Sequence, residues 1–171
     1  MSFSLYDREE LEAIAKKEES NNKLEEFLND KKETWSKDIQ EVLDIAKLQY
    51  NAENAQKIVE LQVTALVYRE KIQSEISFYL QKLSKEKIKL KRAQQDKIVW
   101  YALGKSPLGI DKKVSNAHMT TIIDAHTAES ARATELIEIH IDHLRGLMKQ
   151  LSDLGFQVKN TIELYNLLSK N

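Results

Sequence analysis

Apolar side chains recur every three or four residues through the middle of the chain, which is the spacing of one face of an α-helix. The series is Ile58, Leu61, Ala65, Tyr68, Ile72, Ile76, Tyr79 and Leu83. This stretch shows none of the apolar and polar alternation that a half-buried strand would have. The pattern predicts an all-α protein with long helices.

The residues that most often end helices are confined to the second part of the chain. All four glycines and the single proline, Pro107, lie after residue 103. Glycine and proline cost roughly 1 and 3 kcal/mol inside a helix, so the first part has few obligatory breaks. Short polar side chains at 20–22 and 51–54 are the expected interruptions. We therefore predict helices at 5–19, 23–50 and 53–103.

Loop-forming residues are concentrated in the segment GKSPLGIDKK, residues 104–113, which combines a proline with two glycines. This composition predicts a loop and a domain boundary. A second helical block is expected at 115–153, with Gly155 closing it as the residue after the helix end. A short terminal helix is expected at 161–169.

Composition limits the broad class of the protein. Hydrophobic residues make up 42% and charged residues 31% of 171 residues. This is too apolar for a disordered chain and too charged for a large self-contained core, so we expect partner surfaces or a solvated arm. The acidic start and the short apolar runs lead us to expect a soluble, cytoplasmic protein. The absence of cysteine excludes disulfides and thiolate chemistry.

The net charge of −1 hides an uneven distribution. Residues 1–44 carry 7 Lys and Arg against 13 Asp and Glu, whereas residues 82–105 carry 8 against 2. A concentrated basic segment is typical of a surface that contacts phosphates.

The basic segment 81–97 has the sequence QKLSKEKIKLKRAQQDK. On a helix, Lys82, Lys85, Lys89 and Arg92 share one side. Lys87 and Lys91 lie on a different side. Aromatic residues flank the charge, and rings can stack on unpaired bases. The candidate phosphate contacts are Lys82, Lys85, Lys87, Lys89, Lys91, Arg92, Lys97 and Lys105, and the candidate stacking residues are Trp100 and Tyr101. The alternative is a solvated helix face that pairs with the acidic residues 1–44.

The four histidines do not form a recognisable metal motif. His140 and His143 could meet on one helical face, but a Glu-x-x-His pattern is absent because Ile137 precedes His140 by three residues.

The fragment GKS at 104–106 lacks the upstream glycine of a nucleotide-binding loop. We expect no metal, no cofactor and no enzymatic activity; a metal-dependent helical-bundle enzyme is a distant third alternative.

The C-terminal segment 155–168 is rich in apolar residues for a chain end. Such residues must be buried either against the helix at 115–153 or against another subunit. The candidate oligomerisation residues are Phe156, Val158, Ile162, Leu164, Tyr165 and Leu168.

Three local motifs occur in order along the chain: KLQYNAENA at 47–55, VWYALGK at 99–105 and FQVKNTIEL at 156–164. With them the chain resembles the UvsY-like recombination mediator proteins of T-even-type bacteriophages. Lys97 stands where that family has a DNA-contacting basic residue, whereas Gln95 stands where it has another.

The resemblance implies a small α-helical protein that forms ring-like homo-oligomers and binds single-stranded DNA. It also implies loading of a RecA-like recombinase in place of the single-strand-binding protein, during phage DNA recombination, repair and replication in the host cytoplasm.

These expectations divide the chain into four regions: an acidic helical extension at 1–44, a single-stranded DNA-binding region at 45–105, a loop at 106–114 and an oligomerisation region at 115–171. The alternative function is a coiled-coil scaffold or assembly protein that binds only protein partners, which the apolar series at 58–83 motivates.

Overall fold

The computed structural model describes residues 8–47, 54–102 and 116–168. These residues form three α-helices and no strand: α1 at Arg8–Ala46, α2 at Ala55–Ala102 and α3 at Asn116–Leu168. The all-α prediction is confirmed. Within these ranges, no helix has an apolar stretch long enough to cross a membrane.

Helix α2 follows the predicted bounds closely, and the apolar series is its buried face. Every member of the series is buried except Tyr68, which is half-buried. The predicted break at 51–54 and the predicted loop at 104–113 fall wholly or largely outside the described residues.

Helix α1 continues through residues 20–22, so the predicted break there is wrong. Asn21 is buried, and its side-chain amide donates to the main-chain oxygen of Glu129 in α3 at 2.7 Å and to that residue's carboxylate at 2.9 Å. A polar side chain that finds partners on another helix no longer competes for its own backbone.

Helix α3 also continues where a stop was predicted. Gly155 lies inside α3, and the separate terminal helix predicted at 161–169 is instead the end of α3. The reason is that Leu151, Leu154 and Val158 continue one buried stripe past the glycine. Burial of that stripe outweighs the cost of about 1 kcal/mol for a glycine in a helix.

The chain forms two compact units. Unit 1 comprises Met1–Leu28 and Gln81–Glu138, and unit 2 comprises Asn29–Leu80 and Ile139–Asn171. Each unit thus contains a segment of all three helices. The four regions predicted along the sequence do not coincide with these units, and the roles assigned to those regions stay predictions.

The apolar core is divided unequally between the units. Of the 18 buried apolar side chains among the described residues, 14 belong to unit 2. Unit 1 contributes Leu28, Leu83, Ile123 and Ile137, and it also buries the polar side chains of Asn21, Thr127 and Thr134. The basic half of α2 therefore belongs to the unit with the smaller apolar interior.

Candidate nucleic-acid interface

Four basic side chains lie along one side of α2 in unit 1. Lys82, Lys85, Lys89 and Arg92 fall within an arc of about 80° at 3.6 residues per turn. Lys85, Lys89 and Arg92 are exposed, and Lys82 is half-buried. We call these four residues the basic band.

The basic band keeps most of its charge available. Lys89 pairs with Glu86 of the same helix at 2.7 Å; Lys89 is exposed and Glu86 is half-buried. Lys82, Lys85 and Arg92 form no ion pair with any residue that the structure describes. The expected alternative, in which the acidic N-terminal region neutralises this segment, is not seen for these three side chains in the described ranges.

The remaining candidate cations have different surroundings. Lys87 forms an ion pair with Glu138 of α3 at 2.6 Å. Lys91 is exposed on another side of α2. The ammonium of Lys97 lies over the ring of Trp100, 4.6 Å from its centroid. Lys105 lies outside the described residues. The seven candidate cations within the described residues therefore do not form one surface.

Trp100, one of the two stacking candidates, is only partly accessible. Trp100 is half-buried, and its ring meets that of His126 edge to face, with centroids 6.4 Å apart. A base that stacked on Trp100 would compete with Lys97 for the ring. The side chain of Tyr101 lies outside the described residues.

A groove of about 420 Å³ opens beside the basic band and is lined by all three helical segments of unit 1. Lys82 and Lys89 reach it from α2, and Lys17 reaches it from α1. Sequence reasoning missed Lys17 because it stands in a strongly acidic stretch. Only the packing of α1 beside α2 and α3 brings it to the other two lysines.

The C-terminal candidates are split between the interior and the surface of unit 2. Val158 is buried and Ile162 is half-buried. Phe156, Leu164 and Tyr165 are 71%, 59% and 44% exposed, and the neighbouring Leu167 is 66% exposed. The side chain of Leu168 lies outside the described residues. Among the described candidates, the exposed members are the ones placed to contact a partner.

The histidines that sequence raised as possible metal ligands are held in other contacts. His140 is fully buried against the ring of Tyr79, with centroids 4.6 Å apart, and His143 lies 3.3 Å from the hydroxyl of Ser36. In the described part of the chain, no three His, Cys, Asp or Glu side chains are placed to hold a metal ion. The side chain of His118 lies outside that part.

Comparison of the chain with protein-family models, curated proteins and solved structures finds no match. The function must therefore be inferred from the residues and their geometry.

Proposed function

We propose that the protein binds single-stranded DNA through the basic band of α2 and acts as a recombination mediator. In this role it promotes loading of a RecA-like recombinase in place of the single-strand-binding protein during phage DNA recombination, repair and replication. The carrying observation is the band itself, in which three of four cations have no ion pair among the described residues.

Geometry favours contact with a phosphate backbone. Lys85 and Arg92 are seven residues apart, which corresponds to about 10.5 Å along the helix axis. Because their charges are not already paired, binding a phosphate requires no ion pair to be broken. Contacts to phosphates carry no sequence information, so such a surface suits a protein that holds any single strand. The resemblance carried by the motifs at 47–55, 99–105 and 156–164 supports the same function.

Self-association would raise the affinity for a strand above that of a single basic band. Several bands displayed by one homo-oligomer bind a strand with an avidity that exceeds each single affinity by orders of magnitude. The exposed apolar side chains at the end of α3 are the surface proposed for that assembly. A strand held in this way is presented to the recombinase while the single-strand-binding protein leaves.

The test is a salt titration of binding to a fluorescent single-stranded oligonucleotide. For single strands, each phosphate contact contributes about −0.7 to the slope of log affinity against log salt, so about five contacts give a slope near −3.5. The triple variant K85Q/K89Q/R92Q should weaken binding and flatten the slope by about 2.

The matched control is K37Q/K57Q/K149Q, which removes the same charge from three exposed lysines outside unit 1. It should leave the slope unchanged. Absence of binding to the wild-type protein at low salt contradicts the proposal, and so does equal binding by the band variant and the control.

A scaffold that binds only protein partners is the second candidate function. The surface that favours it differs from the one expected from sequence. The apolar series at 58–83 is used inside the chain, so it is not offered to a partner. The opposite face of α2 in unit 2 instead exposes Val63, Leu66 and Val67 at 62%, 56% and 44%. The same oligonucleotide titration separates the candidates, since a scaffold gives no salt-dependent binding.

A further inference from the structure

The groove in unit 1 is lined by both apolar and cationic side chains. Leu24 of α1 and Ala133 and Ile137 of α3 line it together with three lysines. Its volume of about 420 Å³ falls within the range of 300–1,000 Å³ that is usual for small-molecule sites. The groove is thus large enough for a ligand rather than for a few waters.

The carboxylates that line the groove are already engaged. Glu129 accepts the amide of Asn21 at 2.9 Å, and its carboxylate lies 3.9 Å from Arg132. Glu86 pairs with Lys89 at 2.7 Å.

The other two lysines that line the groove have no carboxylate partner among the described residues. Lys17 donates to the neutral hydroxyl of Ser130 at 3.2 Å, and Lys82 forms no ion pair with a described residue. Arg132 pairs more closely with Glu25, at 2.7 Å, so Glu129 keeps its negative charge. Three lysines and two carboxylates line the groove, which gives it a net charge of +1.

From this arrangement we infer that the groove binds one nucleotide, with its phosphate between Lys17 and Lys82. The ammonium groups are complementary in charge to the phosphate, and the half-buried apolar side chains of Leu24 and Ala133 cover part of the sugar and base. This inference deepens the proposed function and rests on it, because Lys82 and Lys89 belong both to the groove and to the basic band. A strand that runs along Lys85 and Arg92 can place one of its nucleotides in the groove.

The same chemistry fits a nucleotide of a bound strand and a free nucleotide, so the experiment has two arms. Binding of thymidine monophosphate is measured by calorimetry, and binding of a fluorescent oligothymidylate is measured by anisotropy. The variant K17Q/K82Q should weaken oligothymidylate binding about tenfold and reduce the salt slope by about 0.7, the value for one phosphate. The control K37Q/K57Q removes two exposed lysines outside the groove and should behave as wild type.

A second variant tests occupancy without changing charge. Ala133→Met fills the groove, whereas Ala125→Met adds the same side chain at an exposed position of α3 outside it. Only Ala133→Met should weaken binding. Circular dichroism melting checks that each variant is folded.

The outcomes separate this inference from the proposed function. If K85Q/K89Q/R92Q loses oligothymidylate binding while K17Q/K82Q and Ala133→Met keep it, the groove inference is overturned and the proposed function stands. If the wild-type protein binds no oligothymidylate, the proposed function is overturned. The groove inference is then decided by the binding of thymidine monophosphate alone. In that case, binding of thymidine monophosphate that both K17Q/K82Q and Ala133→Met abolish supports a free nucleotide as the ligand. If the wild-type protein does not bind the monophosphate either, the groove inference is overturned.

Discussion

His140 is a polar side chain enclosed in unit 2 without a hydrogen-bond partner. Both ring nitrogens are buried and unsatisfied among the described residues, and the nearest carboxylate oxygen, on Glu75, is 3.9 Å away. That carboxylate accepts the indole N–H of Trp35 at 2.7 Å and lies 3.5 Å from the ammonium of Lys31. An unsatisfied buried polar group costs about 1–3 kcal/mol, so His140 weakens the fold in which it sits.

Burial lowers the pKa of His140 from 6.5 to about 4. The carboxylate of Glu75 opposes this shift, whereas Lys32, His143 and Lys31 add to it. The unfolded chain therefore binds a proton more readily than the folded chain between about pH 6.5 and 4. The free energy of unfolding should fall as the pH falls through this window, and the contribution of His140 is about 3 kcal/mol in total.

We expect His140→Leu to raise the free energy of unfolding at pH 7 by about 1–3 kcal/mol, because it removes two unsatisfied nitrogens. The variant should also lose much less stability than wild type when the pH is lowered to about 5. Urea denaturation at the two pH values measures both effects. A variant that loses as much stability as wild type over this interval would show that His140 is not the titrating group.

At the scale of the element, Asn21 shows how a local helix breaker becomes a link between helices. Its amide joins α1 to the main chain and the side chain of Glu129 in α3. Asn21→Ala should lower the free energy of unfolding by about 1–2 kcal/mol, because two part-buried hydrogen bonds to Glu129 are lost. The adjacent Asn22 is exposed, so Asn22→Ala should have no destabilising effect. Chemical denaturation of the pair checks this, and equal effects would show that the contact with α3 contributes nothing.

Gly155 distinguishes a continuous α3 from the helix stop expected from sequence. A Cβ built on Gly155 meets no atom within 4 Å, and its backbone is not in the left-handed region. Gly155→Ala should therefore raise the free energy of unfolding by about 0.5–1 kcal/mol through the better helix propensity of alanine. A residue that ended the helix in the left-handed conformation would give the opposite sign. Thermal melting monitored by circular dichroism decides between the two.

These elements show which structure can be read from sequence. The buried face of α2 was predictable because its apolar spacing is regular over seven turns. The continuity of α1 at Asn21 and of α3 at Gly155 was not, because local propensity is overridden by contacts from residues more than 100 positions away or by a continuing buried stripe. The basic band was visible in the sequence, but the groove was not, since Lys17 joins Lys82 only through packing.

At the scale of the whole molecule, the two units differ in what they leave at the surface. Unit 1 displays the basic band and the groove, whereas unit 2 contains most of the apolar core and most of the exposed large apolar side chains. On α3, Phe156, Leu164 and Leu167 lie within an arc of about 80°, on the side opposite the buried Val158. Clustered exposed apolar side chains are typical of interaction sites.

We expect the variant F156Q/L164Q/L167Q to lower the assembly mass in solution, because it removes this apolar surface while leaving Val158 and Leu154 in the core. Truncation after residue 154 is a poorer test, since it also opens the interior of unit 2. Sedimentation equilibrium of the variant should be compared with that of V63Q/L66Q/V67Q, which removes the exposed apolar face of α2. If only the α2 variant changes the assembly mass, the assembly surface lies on α2. If neither variant changes it, the protein does not assemble through these faces. The avidity on which strand binding is proposed to depend must then come from another surface.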